Sequence, residues 1–238
     1  EELGAGLCHW RVLRSRIPGR FSAAGGYRHP SLTAARGVRW DDFQTVPRLA
    51  AEAGIQAWLY VSLFDEGWPL APPHQRAVSH HNAMHGQHVA WQSELTRRHP
   101  DWIVVDRSGR RRQWGVVSLA YPEARRAFID RWTTWLGASG FEGLFVCLRS
   151  QSRPADHGDQ FGFNPPAVEA YRRRHGVDPR SPARDPDTWR RQLGADLTQF
   201  VRELRTALDG LDRRVRLGIG MARGDVLGPP LGNTVLDW

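Results

Sequence analysis

The chain has no lysine. All 33 of its basic residues are arginine, set against 25 acids for a net charge of +8. Total replacement of this kind reads as coding bias, and along the sequence the arginines look spread rather than clustered. The short runs Arg110, Arg111, Arg112 and Arg172, Arg173, Arg174 read as solvated turn or helix surface, not phosphate grips. No nucleic-acid partner is therefore expected despite the basic balance. Cysteine is scarce too: Cys8 and Cys147 sit in apolar, strand-like runs, which excludes a disulfide framework and leaves buried thiols. No apolar stretch is long enough to cross a bilayer and no leader pattern is present, so no membrane partner is expected. A Ser–His–Asp signature, a glycine-rich phosphate loop and a dinucleotide fingerprint are all missing. Gly218 and Gly220 lack the glycine pattern that such a fingerprint requires. No cofactor is expected.

What is present is an alternation of buried strands and amphipathic helices. Apolar runs at 7–13, 55–64, 143–148 and 215–221 read as strands covered on both faces. Residues 40–53 read as a helix with Phe43, Val46, Ala50 and Ala53 on one face, Pro47 as a kink or late start, and Gly54 as its stop. Pro122 opens a second helix to about Ala138, with Phe128, Trp132, Trp135 and Leu136 at helical spacing. Pro165 and Pro166 signal another, and Leu193, Leu197, Phe200, Val201, Leu204 and Leu208 a further strong one. One short strand is expected between the second run and the helix at Pro122. The pattern predicts a single α/β domain over 1–238, a (β/α)8 barrel-like sheet with helices outside. The first strand begins almost at once and the sequence stops where a helix is due, so the barrel is expected to be incomplete at both ends.

Parallel strands deliver functional residues to their carboxyl ends. The second run empties into Asp65, Glu66, Gly67 and Trp68. Glycoside cleavage needs one carboxylic acid to protonate the leaving oxygen and a second carboxylate opposite. Glu66 is the expected general acid or base, with Asp65 beside it. Because adjacent residues cannot face one bond squarely, the partner should come from another strand: Asp156 and Asp159, beyond the third run, and Asp225, beyond the last, are the further candidates. The competing reading is that Asp65 caps a turn and Glu66 pairs with an arginine. Arg149, closing the third run, is expected to face a carboxylate or a substrate oxygen, as is Arg11 in the first strand; Arg153 follows in the same loop. His80, His81, His85 and His88 fall within ten residues. They could bind zinc, but lack the glutamate of a zinc-protease helix and any nearby cysteine ligand. Sugar contacts from His81, Asn82, His85 and Trp68 are expected instead, with no metal. Eleven tryptophans suit the apolar faces of sugar rings.

Several motifs in order carry a resemblance: His99-Pro-Asp-Trp102 through Val105-Asp106; Tyr121-Pro-Glu-Ala-Arg125; Glu142-Gly143 through Arg149; and Tyr171 through Asp178-Pro179. Together they resemble the bacterial glycosyl hydrolase-like 10 family over roughly residues 58–238. The resemblance implies a TIM barrel related to polysaccharide-cleaving glycoside hydrolases, usually in exported bacterial proteins, with carbohydrate as the partner. Cys147 stands where the family strand carries an aspartate, and Glu142 where it carries another. A thiol cannot serve as the carboxylate. Either the acid work has moved to Asp65, Glu66, Asp156 or Asp159, or the chain binds carbohydrate without cleaving it. A metal-dependent hydrolase built on residues 80–88 is the third reading.

Overall fold

The computed structural model describes residues 7–11, 42–64, 66, 93–148 and 161–220, with 7–11, 42 and 114 given by their backbone. Four strands form one parallel sheet: β1 (Leu7–Arg11), β2 (Gln56–Ser62), β5 (Gly143–Cys147) and β6 (Arg216–Gly220), hydrogen-bonded in that order. These are the four strands expected, and each neighbouring pair is parallel. Between β2 and β5 the chain forms an antiparallel hairpin of β3 (Ile103–Val105) and β4 (Arg112–Val117), where one short strand was expected. Periodicity misses the hairpin because β3 has only three residues and the ladder slips between Ile103 and Val105. The result is a mixed α/β fold with a parallel sheet and helices; closure into a complete barrel is not seen among the described residues.

The helices are α1 (Asp42–Glu52), α2 (Glu94–Arg98), α3 (Pro122–Gly137), α4 (Pro165–His175) and α5 (Pro186–Asp209). Helix α1 runs through Pro47 and ends at Gly54. Gly54 has φ of 69°, and Ile55 N–H donates to the Ala50 carbonyl at 2.8 Å. A side chain would be strained at that φ, so glycine closes the helix. Pro122 opens α3 as expected, where its missing N–H costs nothing. Asp185 caps α5, accepting from the N–H groups of Asp187 and Thr188.

One face of the sheet packs under α1, α3 and α5. Leu59, Leu144, Phe128, Trp132, Leu136, Leu197, Phe200, Leu204 and Leu208 are essentially closed to solvent there. Phe200 meets Phe128 and Trp132 edge-on, and Arg125 of α3 clamps Glu203 of α5 through two hydrogen bonds of 2.8 and 3.0 Å. The opposite face carries Trp58, Tyr60 and Phe145, with Tyr60 and Phe145 stacked at 5.5 Å. Two glycines make room for these rings. A Cβ on Gly143 would lie 2.4 Å from Trp58, and one on Gly220 2.6 Å from Phe145. The dismissed Gly218–Gly220 pattern thus has a packing role, and both faces of the sheet are apolar. No described helix is long and apolar enough to cross a membrane.

Candidate active site

The carboxyl ends of the parallel strands are held level. Ser62, Cys147 and Gly220 are in register across β2, β5 and β6, and the row continues as Leu63 N–H donates to Cys147 and Leu148 N–H to Gly220. Arg11, the last residue of β1, is in register with Tyr60, and its backbone alone is described. Asp65, Trp68, His81, Asn82, His85, Arg149, Arg153, Asp156, Asp159 and Asp225 lie outside the described residues, as does the rest of the histidine cluster at 80–88. Among the described residues no three His, Cys, Asp or Glu side chains gather as metal ligands.

Glu66 is therefore the one expected catalytic residue whose side chain is described. It is 1% exposed. Arg131 of α3 binds its carboxylate through both terminal nitrogens, at 2.8 and 3.2 Å, and the guanidinium lies over the rings of Phe128 and Trp135. The arginine-pair reading therefore describes Glu66, whatever else this carboxylate does. A fork of charged donors on both oxygens fixes the position and orientation of the carboxylate. The backbone of Glu66 is equally committed. Its N–H donates to Gly115 of β4 and its carbonyl accepts from Ser93, each at 2.9 Å, and Ser93 caps α2 by accepting from Thr96 N–H. One residue thus joins the exit of β2 to the hairpin, α2 and α3. Gly115, at φ of 89°, allows the hairpin to turn its carbonyl this way.

The motif residues of the hairpin shape its backbone. His99 stacks on Trp102 at 3.8 Å. Asp106 accepts from Ser108 Oγ, from the N–H groups of Arg110 and Arg111, and from Arg111 Nε. Burial pushes the Asp106 carboxyl up, but those hydrogen bonds outweigh it and leave the group below its ordinary value. Cys147 is a buried free thiol between Ser62 and Gly220 in the sheet. No acid neighbours it in that row.

Sequence reasoning passed over Asp196. It lies on α5 and lines a cavity of about 20 Å³ with Phe64, Val104, Val117, Ser118, Leu119, Gly162 and Leu193. Its Oδ2 is enclosed and has no hydrogen-bond partner. Burial pushes its pKa up to about 6, against the opposing charges of Arg125 and Arg174. The signal was in the sequence: Asp196 sits three residues after Leu193 and four before Phe200, on the apolar stripe itself. A cavity of this size has room for a water and not for a sugar, so Asp196 is a carboxyl of the scaffold beside the exit of β2 that keeps its proton to a higher pH than an exposed one.

No family model and no curated protein matches the sequence, so the resemblance to the glycosyl hydrolase-like 10 family rests on its motifs. Among solved structures the chain is similar to alpha-L-fucosidase isoenzyme 2 from Paenibacillus thiaminolyticus, with 14% identity, a TM-score of 0.45, and coverage of 73% of this chain and 22% of that one. It is also similar to the PgaB (BpsB) glycoside hydrolase domain from Bordetella bronchiseptica, with 17% identity, a TM-score of 0.47, and coverage of 79% and 48%. The chain spans about a fifth of the first and about half of the second. Likenesses of this size carry no argument about activity, which has to come from the chain's own residues.

Proposed function

We propose that this chain is the barrel-forming part of a glycoside hydrolase-like enzyme that cleaves glycosidic bonds in a polysaccharide or glycan. One observation carries the reading. β2, β5 and β6 end level at a single sheet edge, and the next residues along the chain from β2 and β5 lead to the acids and arginines singled out in the sequence. Parallel strands of a barrel bring such residues to one mouth. The apolar second face of the sheet, where Trp58 and Phe145 cover glycines, supports closure into a (β/α)8 barrel. The motif resemblance points the same way and implies an exported bacterial protein.

In this reading Asp65, Asp156 and Asp159 supply the acid and the opposing carboxylate. One protonates the leaving oxygen while the other acts as nucleophile or base on the far face of the sugar. Arg149, Arg153 and Arg11 orient substrate oxygens, and Trp68, His81, Asn82 and His85 line the cleft. In this reading Glu66 is a positioning residue, since its pair with Arg131 and its backbone hydrogen bonds to Gly115 and Ser93 tie the exit of β2 to the hairpin, α2 and α3. A panel of polysaccharides incubated with the protein and with Asp65→Asn, Asp156→Asn and Asp159→Asn tests this. At least one variant should lose about a hundredfold or more in turnover while still binding; unchanged turnover in all three overturns the assignment. The buried Cys147 favours a second reading, a barrel that binds carbohydrate without cleaving it. Binding with no turnover of any glycan would establish that one.

A further inference from the structure

Folding concentrates the arginines in a way that the linear sequence conceals. Residues 106–112 and 172–184 hold nine of the 33 arginines and two of the 25 acids, so the remaining 24 arginines face 23 acids. Nearly all of the net charge therefore lies in two short segments, the tip of the β3–β4 hairpin and the turn from α4 to α5. The fold joins them. Arg107 Nε donates to the carbonyl of Arg180. Buried Asn164, at the start of α4, donates to the Asp101 and Ile103 carbonyls and accepts from Val105 N–H. Gly162 and Phe163 N–H groups both donate to the Val105 carbonyl. Hairpin and turn are thus one body.

The two acids within these segments are already engaged, and Asp185, which follows them, caps α5. Asp106 is consumed by the hairpin turn, and Asp178 is held by Arg180 and Arg172, with the side-chain hydrogen bond from Arg180 the largest effect keeping its carboxyl well below the usual range. Arg107, Arg110, Arg112 and Arg173 are exposed and make no ion pair with a described acid. We propose that the hairpin tip and the α4–α5 turn form one anion-binding surface, and that its ligand is a polyanionic glycan whose carboxylate groups the arginine forks bind. Guanidinium groups match carboxylates in a two-pronged geometry and remain charged at any working pH. The same hairpin is hydrogen-bonded to the exit of β2 through Gly115 and Glu66, which ties this surface to the strand that leads to the edge where cleavage is proposed. The inference rests on that functional reading and specifies its substrate class. Single-stranded nucleic acid fits less well, because it needs exposed rings for its bases, whereas the exposed large apolar side chain among the described residues is Leu49 on α1.

The test is a titration of the full chain with polygalacturonate, with a neutral dextran and with mixed-sequence DNA duplex, at low and high salt. It is repeated for Arg110→Glu/Arg173→Glu and for Arg202→Glu, an exposed arginine of α5 outside the surface. Polygalacturonate should bind, weaken with salt, and weaken tenfold or more in the double variant while Arg202→Glu stays within twofold. Dextran should not bind there. Thermal melting checks that the double variant is folded; an unfolded double variant is replaced by Arg110→Gln/Arg173→Gln, read by the same criterion. Equal binding by wild type and double variant, no binding of polygalacturonate, or tighter binding of duplex than of polygalacturonate each overturns the proposal. Cleavage is followed separately, in the same samples and on the polysaccharide panel, so polymer bound through these arginines with no glycan cleaved removes the proposed activity and keeps the surface.

Discussion

Glu66 is a buried acid and Asp196 a half-buried one, both next to the exit of β2, and they differ in what surrounds them. Asp196 has an enclosed oxygen without a partner, and burial pushes its pKa up to about 6. In the unfolded chain it titrates near 3.8, so between those values the folded state holds more protons. Stability then falls as pH rises from about 4 to about 6 and is level above that. The full difference is about 3 kcal/mol, from roughly two pKa units at 1.36 kcal/mol each. Asp196→Asn removes the charge at constant shape. Urea midpoints of wild type and variant should coincide near pH 4, with the variant more stable by up to that amount at pH 7; a gap independent of pH would contradict the assignment. Glu66 has the opposite circumstance, a full partner in Arg131. Glu66→Gln leaves a guanidinium packed on Phe128 and Trp135 without its counter-charge, costing about 3 kcal/mol. Glu66→Gln with Arg131→Met should regain most of that loss. A double variant as unstable as the sum of the two single ones would show that the pair is not what stabilises this junction.

Among the elements, the hairpin was the one the sequence least announced, and it is the one that organises the region. Asn164 explains how a three-residue strand is held. Its amide is 0% exposed, and its three hydrogen bonds to Asp101, Ile103 and Val105 replace the ladder that β3 is too short to make. Asn164→Ala would remove a donor from the buried Ile103 carbonyl and from the Asp101 carbonyl, and the acceptor of Val105 N–H. It should cost roughly 3 kcal/mol, and amide exchange should speed up in β3 and β4 before it does in β2 and β5. Uniform acceleration across the sheet would instead mean that hairpin and sheet unfold as one unit. The long helices needed no such help. Leu193, Leu197, Phe200, Leu204 and Leu208 make a stripe that predicts α5 and its buried face together, and Gly54 and Pro122 mark ends where backbone chemistry leaves little choice.

For the whole molecule, metal content separates the hydrolase readings. Dialysis against a chelator should leave melting temperature and any glycan binding unchanged, whereas stoichiometric zinc lost on His85→Ala would promote the metal-dependent reading of residues 80–88. The sequence by itself determined the parallel α/β layout, because burial on both faces and a 3.6-residue apolar period are local patterns that each segment carries with it. It also carried the motifs of the hairpin and of the α4–α5 turn, although it did not reveal that Asp106, Gly109, Gly176 and Asp178 serve there as backbone acceptors and left-handed turns. Only the tertiary structure decided which acid is satisfied and which is stranded. The groups that face Glu66 and Asp196 come from distant parts of the chain, Arg131 for the first and Phe64, Val104 and Val117 for the second, and an acidic letter in the sequence does not say whether a guanidinium or an apolar wall will face it. It decided the charge pattern as well: arginines that look scattered along the chain become one surface when Asn164 and Arg107 tie the hairpin to the turn. Electrostatic interaction depends on separation in space, and the fold alone sets that separation.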